Sequence, residues 1–166
     1  MSGVAVNGEV LECFNNMKLH TARNAANRQK LALFEIKDNE IKLDHKSCIK
    51  VEDIGTTVDD VHKTLINTLR NRGSCCFVLY DVEYETTLTK KQDLVLIMWC
   101  DDTLPVKNKL VYAASSGVLR NQLRGLKVYM EVQDLDSLID CVDLAEKLGS
   151  DVIRVEGRDV KKSRSA

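Results

Sequence analysis

The residues of this chain best suited to chemistry are its six cysteines, its three histidines and its clustered charges. Cys13, Cys48, Cys75, Cys76, Cys100 and Cys141 include no CxxC pair and no histidines at zinc spacing, so no metal site is expected. Most stand among apolar neighbours, as in Cys13-Phe14 and Trp99-Cys100, where a free cysteine behaves as a small hydrophobe. Cys75-Cys76 invites a redox reading, yet strand neighbours point to opposite faces and vicinal disulfides are strained. All six are read as reduced structural thiols. His20, His45 and His62 lie in polar contexts without a nucleophile or second ligand, as surface or capping histidines do. Acidic runs such as Glu52-Asp53 and Asp59-Asp60 fit solvated faces or helix N-termini. GxGxxG, P-loop, GxSxG and HExxH patterns are absent. No enzyme and no cofactor is expected.

Binding is what remains, and the charge distribution locates it. The net charge of −1 argues against a nucleic-acid partner. Residues 103–130 nevertheless hold Lys107, Lys109, Arg120, Arg124 and Lys127 with no acid. Residues 131–151 reverse this, with Glu131, Asp134, Asp136, Asp140, Asp143, Glu146 and Asp151 against Lys147 alone. A basic region beside an acidic one is expected on the surface. At 166 residues, 44% hydrophobic and 30% charged, the chain suits one domain with one core. No run approaches the roughly 20 apolar residues of a membrane span. The start, Met-Ser-Gly-Val-Ala-Val, lacks a basic n-region and a long apolar stretch, so a cytoplasmic location is expected.

The elements that must position these residues follow from periodicity. Val6, Val10, Phe14 and Met17 predict a helix over 6–19, with Asn7 as its cap. Residues 20–30 read as a polar connector. Strands are predicted at 31–37 and 41–44 around Asp38-Asn39-Glu40, and a helix at 57–70 with Val58, Val61, Leu65 and Leu69 on one face. Two apolar strands, 75–85 and 93–100, flank a polar tip at 86–92 that carries Lys90 and Lys91. A long helix over 104–124 opens at Pro105, the only proline, and stops at Gly125. A strand at 127–132, a helix at 137–148 and a strand at 152–156 complete the order. Helices interleaved with strands predict an α/β (α+β) single domain with a mixed sheet. Residues 1–157 form it, and 158–166 read as a basic disordered tail.

The long helix is the informative element. Val111, Val118, Leu119 and Leu123 fall on one side, and Lys109, Arg120 and Arg124 on the other, within about 60° of one another. A purely solvating face mixes charge signs, whereas this one has no acid and includes Val106 and Leu110. Such a stripe suits a protein groove with acidic edges or an anionic lipid surface. Ser115-Ser116-Gly117 at mid-helix predicts a bend.

Several segments together resemble the ADF/cofilin family. They are Ser-Gly-Val-Ala-Val-Asn at 2–7, Phe14-Asn-Asn-Met-Lys18, Asp53-Ile-Gly55, Leu79-Tyr-Asp81, Tyr84-Glu-Thr86, Lys90 through Trp99, Pro105 through Ala113, and Ala145-Glu-Lys-Leu-Gly149. They run in family order from residue 2 to about 157. The resemblance implies the ADF homology fold, a mixed sheet of about five strands flanked by helices on both faces. It implies a monomer-actin surface of Ser2, Gly3, Val4, Lys107, Lys109, Leu110 and Arg120, and a filament-actin surface of Lys90, Lys91, Glu146 and Lys147. It further implies filament severing and depolymerisation, preference for ADP-actin, and a monomeric protein. Phosphorylation of Ser2 by a LIM-type kinase, reversed by a phosphatase, would switch binding off by charge repulsion. Phosphoinositide head groups would compete at Lys107, Lys109 and Arg120.

The departures from the family are specific. Three lysines usual in animal cofilins read Arg120, Asn121 and Gln122, which predicts weaker monomer and lipid binding. The basic nuclear-import cluster is reduced to Arg28 and Lys30, which argues against nuclear import. Val128 stands where vertebrate relatives carry a pH-tuning histidine, and Ser150 where some carry a filament-site base. Lys161-Lys-Ser-Arg164 extends the end and would supplement filament binding. The alternatives are a non-severing or sequestering relative such as coactosin or glia maturation factor, a phosphoinositide-binding surface module, and a dithiol enzyme.

Overall fold

The two most apolar segments pair as the spine of the molecule. In the computed structural model, which describes residues 3–19 and 27–160, β5 (Cys76–Thr86) and β6 (Lys90–Trp99) form an antiparallel hairpin. It runs unbroken from Cys76↔Trp99 to Glu85↔Lys90. Side chains alternate across its pleat. Val78, Tyr80, Val95, Ile97 and Trp99 enter one core, and Phe77, Leu79, Leu96 and Met98 the other.

Strands β1 (Ala5–Val6), β2 (Gln29–Lys37), β3 (Glu40–Leu43) and β7 (Val128–Val132) complete a sheet ordered β1-β3-β2-β5-β6-β7. The β1–β3 and β6–β7 pairs are parallel and the other pairs of this path antiparallel, so the sheet is mixed as expected. Asp38 and Asn39 close the β2–β3 turn at φ 53° and 63°, the left-handed geometry a two-residue hairpin needs. Two-residue β4 (Ile49–Lys50) joins β2, while β8 (Val152–Val155) joins the end of β5.

Helices cover both faces. Against one core lies α1 (Gly8–Lys18), capped as expected by Asn7, whose side chain accepts the Glu9 N–H at 2.9 Å. It buries Val10, Cys13, Phe14 and Met17. Helix α3 (Val106–Gln122) shares that face, and Gly125 turns the chain after it at φ 111°. The other core is covered by α2 (Val61–Arg70), α4 (Asp136–Ile139) and α5 (Val142–Leu148).

Several expectations need correction. Helix α2 starts at Val61, because the Asp60 carboxylate caps it by accepting the Lys63 N–H, and Val58 stays outside. The helix expected over 137–148 is broken at Cys141, which takes a left-handed φ of 59°. Arg158–Asp159, assigned to the tail, form β9 on β8, and Arg158 reaches Asp60 at 2.6 Å. The call on residues 161–166, like His20, lies outside the described residues. Lys30, assigned to a polar connector, is a buried residue of β2.

The cysteines and histidines also differ. Cys75 and Cys100 extend the β5–β6 register by one pair and are disulfide-bonded, with Cα atoms 4.4 Å apart. Non-hydrogen-bonded antiparallel pairs come that close. Cys75 and Cys76 do point into opposite cores. Cys13, Cys48, Cys76 and Cys141 are free, and burial pushes the Cys13 and Cys76 thiols up to about 12. Such thiols hold their protons and react poorly.

His45 is exposed and meets Glu9, as a surface histidine should. His62 is only 1% exposed and is a core residue. Its Nε2 lies 2.7 Å from the Leu138 carbonyl, which can only accept, so Nε2 carries the proton. Nδ1 then accepts from the Tyr80 hydroxyl at 3.1 Å. Burial lowers its pKa below the ordinary 6.5, with Arg158 adding to this and the Leu138 carbonyl, Glu156 and Asp60 opposing it. The sign follows from linkage. The unfolded chain binds the proton more readily, so this stability is complete above pH 6.5 and falls away below it. From pH 7 to 5.5, the parent should lose more thermal stability than His62→Gln, by at most about 1.4 kcal/mol per pH unit. Parallel melting curves for the two would refute this.

Candidate functional site: two binding surfaces

Helix α3 owes its orientation to what it buries. Tyr112, Ser115, Ser116 and Leu119 face the sheet, followed by Leu123 just past its end. Two of these are serines, which a count of apolar residues passes over. They can be buried because Ser115 donates to the Val111 carbonyl and Ser116 to the Ala113 carbonyl, each at 2.8 Å. The Tyr112 hydroxyl accepts the Ile36 N–H of β2 at 3.0 Å, tying the helix to the sheet. Val111, expected on the core side, is turned outward.

The outward side is therefore apolar at its crest. Val106 is 70% and Leu110 62% exposed, with Ala114 a turn further on. Lys107 and Lys109 leave the helix about 160° apart, one on each side of that crest. Arg120 continues the Lys109 flank roughly 16 Å along the axis. Its guanidinium stacks on the Tyr129 ring at 4.2 Å. Arg120, Arg124, Lys127 and Tyr129 line an open cleft of about 610 Å³. Lys107 and Lys109 thus sit near the start of α3 and Arg120 near its end.

The N-terminal residues join this surface through the sheet. Ala5 pairs with Glu40 and Val6 with Ile41, and β1 packs against α3. Gly3 is exposed, and its carbonyl accepts from Asn39 Nδ2 at 2.9 Å. Val4 packs on the core beneath α3. Ser2 lies outside the described residues.

A second surface forms where the β5–β6 hairpin ends. Lys90 and Lys91 are exposed residues of β6, since the unpaired tip is shorter than expected. Glu146 and Lys147 are exposed near the end of α5. The chain turns at Gly149 and enters β8, where Val152 pairs with Thr86 beside the hairpin tip. The four residues are thus brought to one end of the sheet by strand pairing. The residues sequence reasoning missed at this end are Arg154, which holds Glu85 at 3.4 Å, and Glu156. Only the β8 register reveals them.

Comparison with known proteins bears on the family and the fold. The sequence pattern of the cofilin/tropomyosin-type actin-binding proteins matches residues 3–148. The chain belongs to that family. Among solved structures, actin depolymerization factor 2 of Plasmodium berghei superposes with a TM-score of 0.67 at 21% identity, over 89% of this chain and 98% of that one. The ADF-like UNC-60A protein of Caenorhabditis elegans gives 0.68 at 20% identity, over 89% and 95%. Coactosin of Entamoeba histolytica gives 0.63 at 18%, over 89% and 96%. At such identities the likeness is one of fold. This cofilin-family chain therefore has the mixed α/β ADF-homology architecture, with helices on both faces of its sheet.

Proposed function

We propose that this chain is a cytoplasmic, cofilin-like actin regulator that binds monomers and filament sides, prefers the ADP form, and severs and depolymerises filaments. The observation that carries this reading is the exposed crest of α3. Val106 and Leu110 stand in solvent between cationic flanks, which is what a groove with acidic edges would take. In this reading Gly3, Val4, Lys107, Lys109, Leu110 and Arg120 contact one subunit, together with Ser2. Lys90, Lys91, Glu146 and Lys147 contact the next. A phosphate on Ser2, added by a LIM-type kinase and removed by a phosphatase, would bring negative charge against acidic actin. Phosphoinositides would compete along the whole stripe, because its cations are spread over the helix.

Filament co-sedimentation with Lys107→Ala/Lys109→Ala and with Ser2→Glu tests the assignment. Each variant should weaken binding about tenfold, the equivalent of 1.4 kcal/mol. If both pellet like the parent, the assignment is wrong. Asn121 and Gln122 favour a second reading, a coactosin-like side binder that does not sever. Microscopy of labelled filaments separates the two, since only the first shortens them.

A further inference from the structure

The tip of the β5–β6 hairpin holds an apolar group in water under firm control. Leu88 is 91% exposed, the highest of the large exposed hydrophobics among the described residues. Turns favour Gly, Asn, Asp and Ser, which make the bend or bond to it, and leucine does neither. Here Thr86 makes the bend. Its hydroxyl accepts the N–H groups of Leu88 and Thr89 at 3.1 Å each, and its own N–H donates to the Thr89 carbonyl at 2.9 Å. Thr86 is buried and paired with Val152 of β8. The backbone at Leu88 is thus set by the sheet, and little loop ordering is left for a partner to impose.

A scattered surface leucine carries nothing by itself. This one is fixed in place, and two exposed cations, Lys90 and Lys91, follow it within three residues. An apolar centre that excludes water beside charges that steer is the make-up of an interface anchor. We propose that Leu88 enters a shallow nonpolar depression with acidic edges on the actin subunit met by Lys90 and Lys91. The hairpin contact is then hydrophobic at its centre and ionic at its rim. This rests on the filament-side reading above and assigns that contact a residue of its own.

The test compares Leu88→Ser, Leu88→Met and Lys90→Ala/Lys91→Ala in filament co-sedimentation at two salt concentrations, with monomer binding measured in parallel. Leu88→Ser should weaken filament binding about tenfold, as burial of one leucine side chain implies. Its salt dependence and monomer affinity should match the parent, and Leu88→Met should retain binding. The lysine variant should lose affinity together with salt dependence. If Leu88→Ser pellets like the parent while the lysine variant does not, the anchor is wrong and the filament surface stands. If both pellet like the parent, the anchor and the filament surface fail together. Equal losses in filament and monomer binding by Leu88→Ser would also overturn the anchor.

Discussion

Exchanging Lys30 for methionine is expected to lower the unfolding free energy by about 3–5 kcal/mol, the range for breaking a buried ion pair from one side. Lys30 is 4% exposed. Its Nζ donates to the Asp81 carbonyl at 2.6 Å and to Glu156 Oε2 at 2.8 Å, and lies 5.9 Å from the Tyr80 ring centre. The same carboxylate oxygen accepts the Glu83 N–H at 2.7 Å. Methionine keeps most of the length and removes the charge, leaving the Glu156 carboxylate inside with the Glu83 N–H as its remaining donor among the described residues. Glu156 sits at φ 50° in the turn between β8 and β9. Urea unfolding measures the loss. Lys30→Met/Glu156→Gln should recover at least half of it, because the amide oxygen still accepts from Glu83 without a stranded charge. A midpoint equal to the parent's for Lys30→Met, or no recovery in the double variant, would show that the pair does not hold the fold.

Removing the Cys75–Cys100 bond should cost about 3 kcal/mol, as cross-linking residues 25 apart in sequence implies. Both sulfurs are buried beneath the α1–α3 layer, so a reducing thiolate reaches them only when that layer opens. Reduction by dithiothreitol should therefore be slow in buffer and fast in denaturant. Cys100→Ala should shift the denaturant midpoint as far as full reduction does. Thiol titration of the unfolded chain should find four groups before reduction and six after, matching the free and bonded cysteines. Six thiols at the outset, or a midpoint indifferent to reductant, would remove the cross-link from the account.

What the sequence made legible was what neighbouring residues decide. The Asn7 cap, the apolar runs that form β5 and β6, and the turn after α3 all depend on residues within a few positions. The disulfide was hidden because it depends on register. A seven-residue tip over 86–92 sets Glu85 against Asp93 and carries Cys75 past Cys100 to face Thr103. The true pairing of Glu85 with Lys90 brings the two cysteines together. Lys30 and His62 were hidden for a related reason. Their polar neighbours suggest solvent, while their partners, Glu156 and Leu138, lie 126 and 76 residues away. At the candidate site the basic stripe was visible, but the orientation of α3 was not, since it rests on two serines that bond to their own helix.

Those serines let α3 settle its debt to the core with one side only. Tyr112, Ser115, Ser116, Leu119 and Leu123 hold it down, and none of the exposed residues Val106, Lys107, Leu110, Asn121 or Gln122 is among them. Grip and stability are therefore separately heritable in this helix. Exchanges along its outer row can retune affinity for a partner over generations while the melting temperature stays where it was. Arg120, Asn121 and Gln122 stand exposed on that outer row.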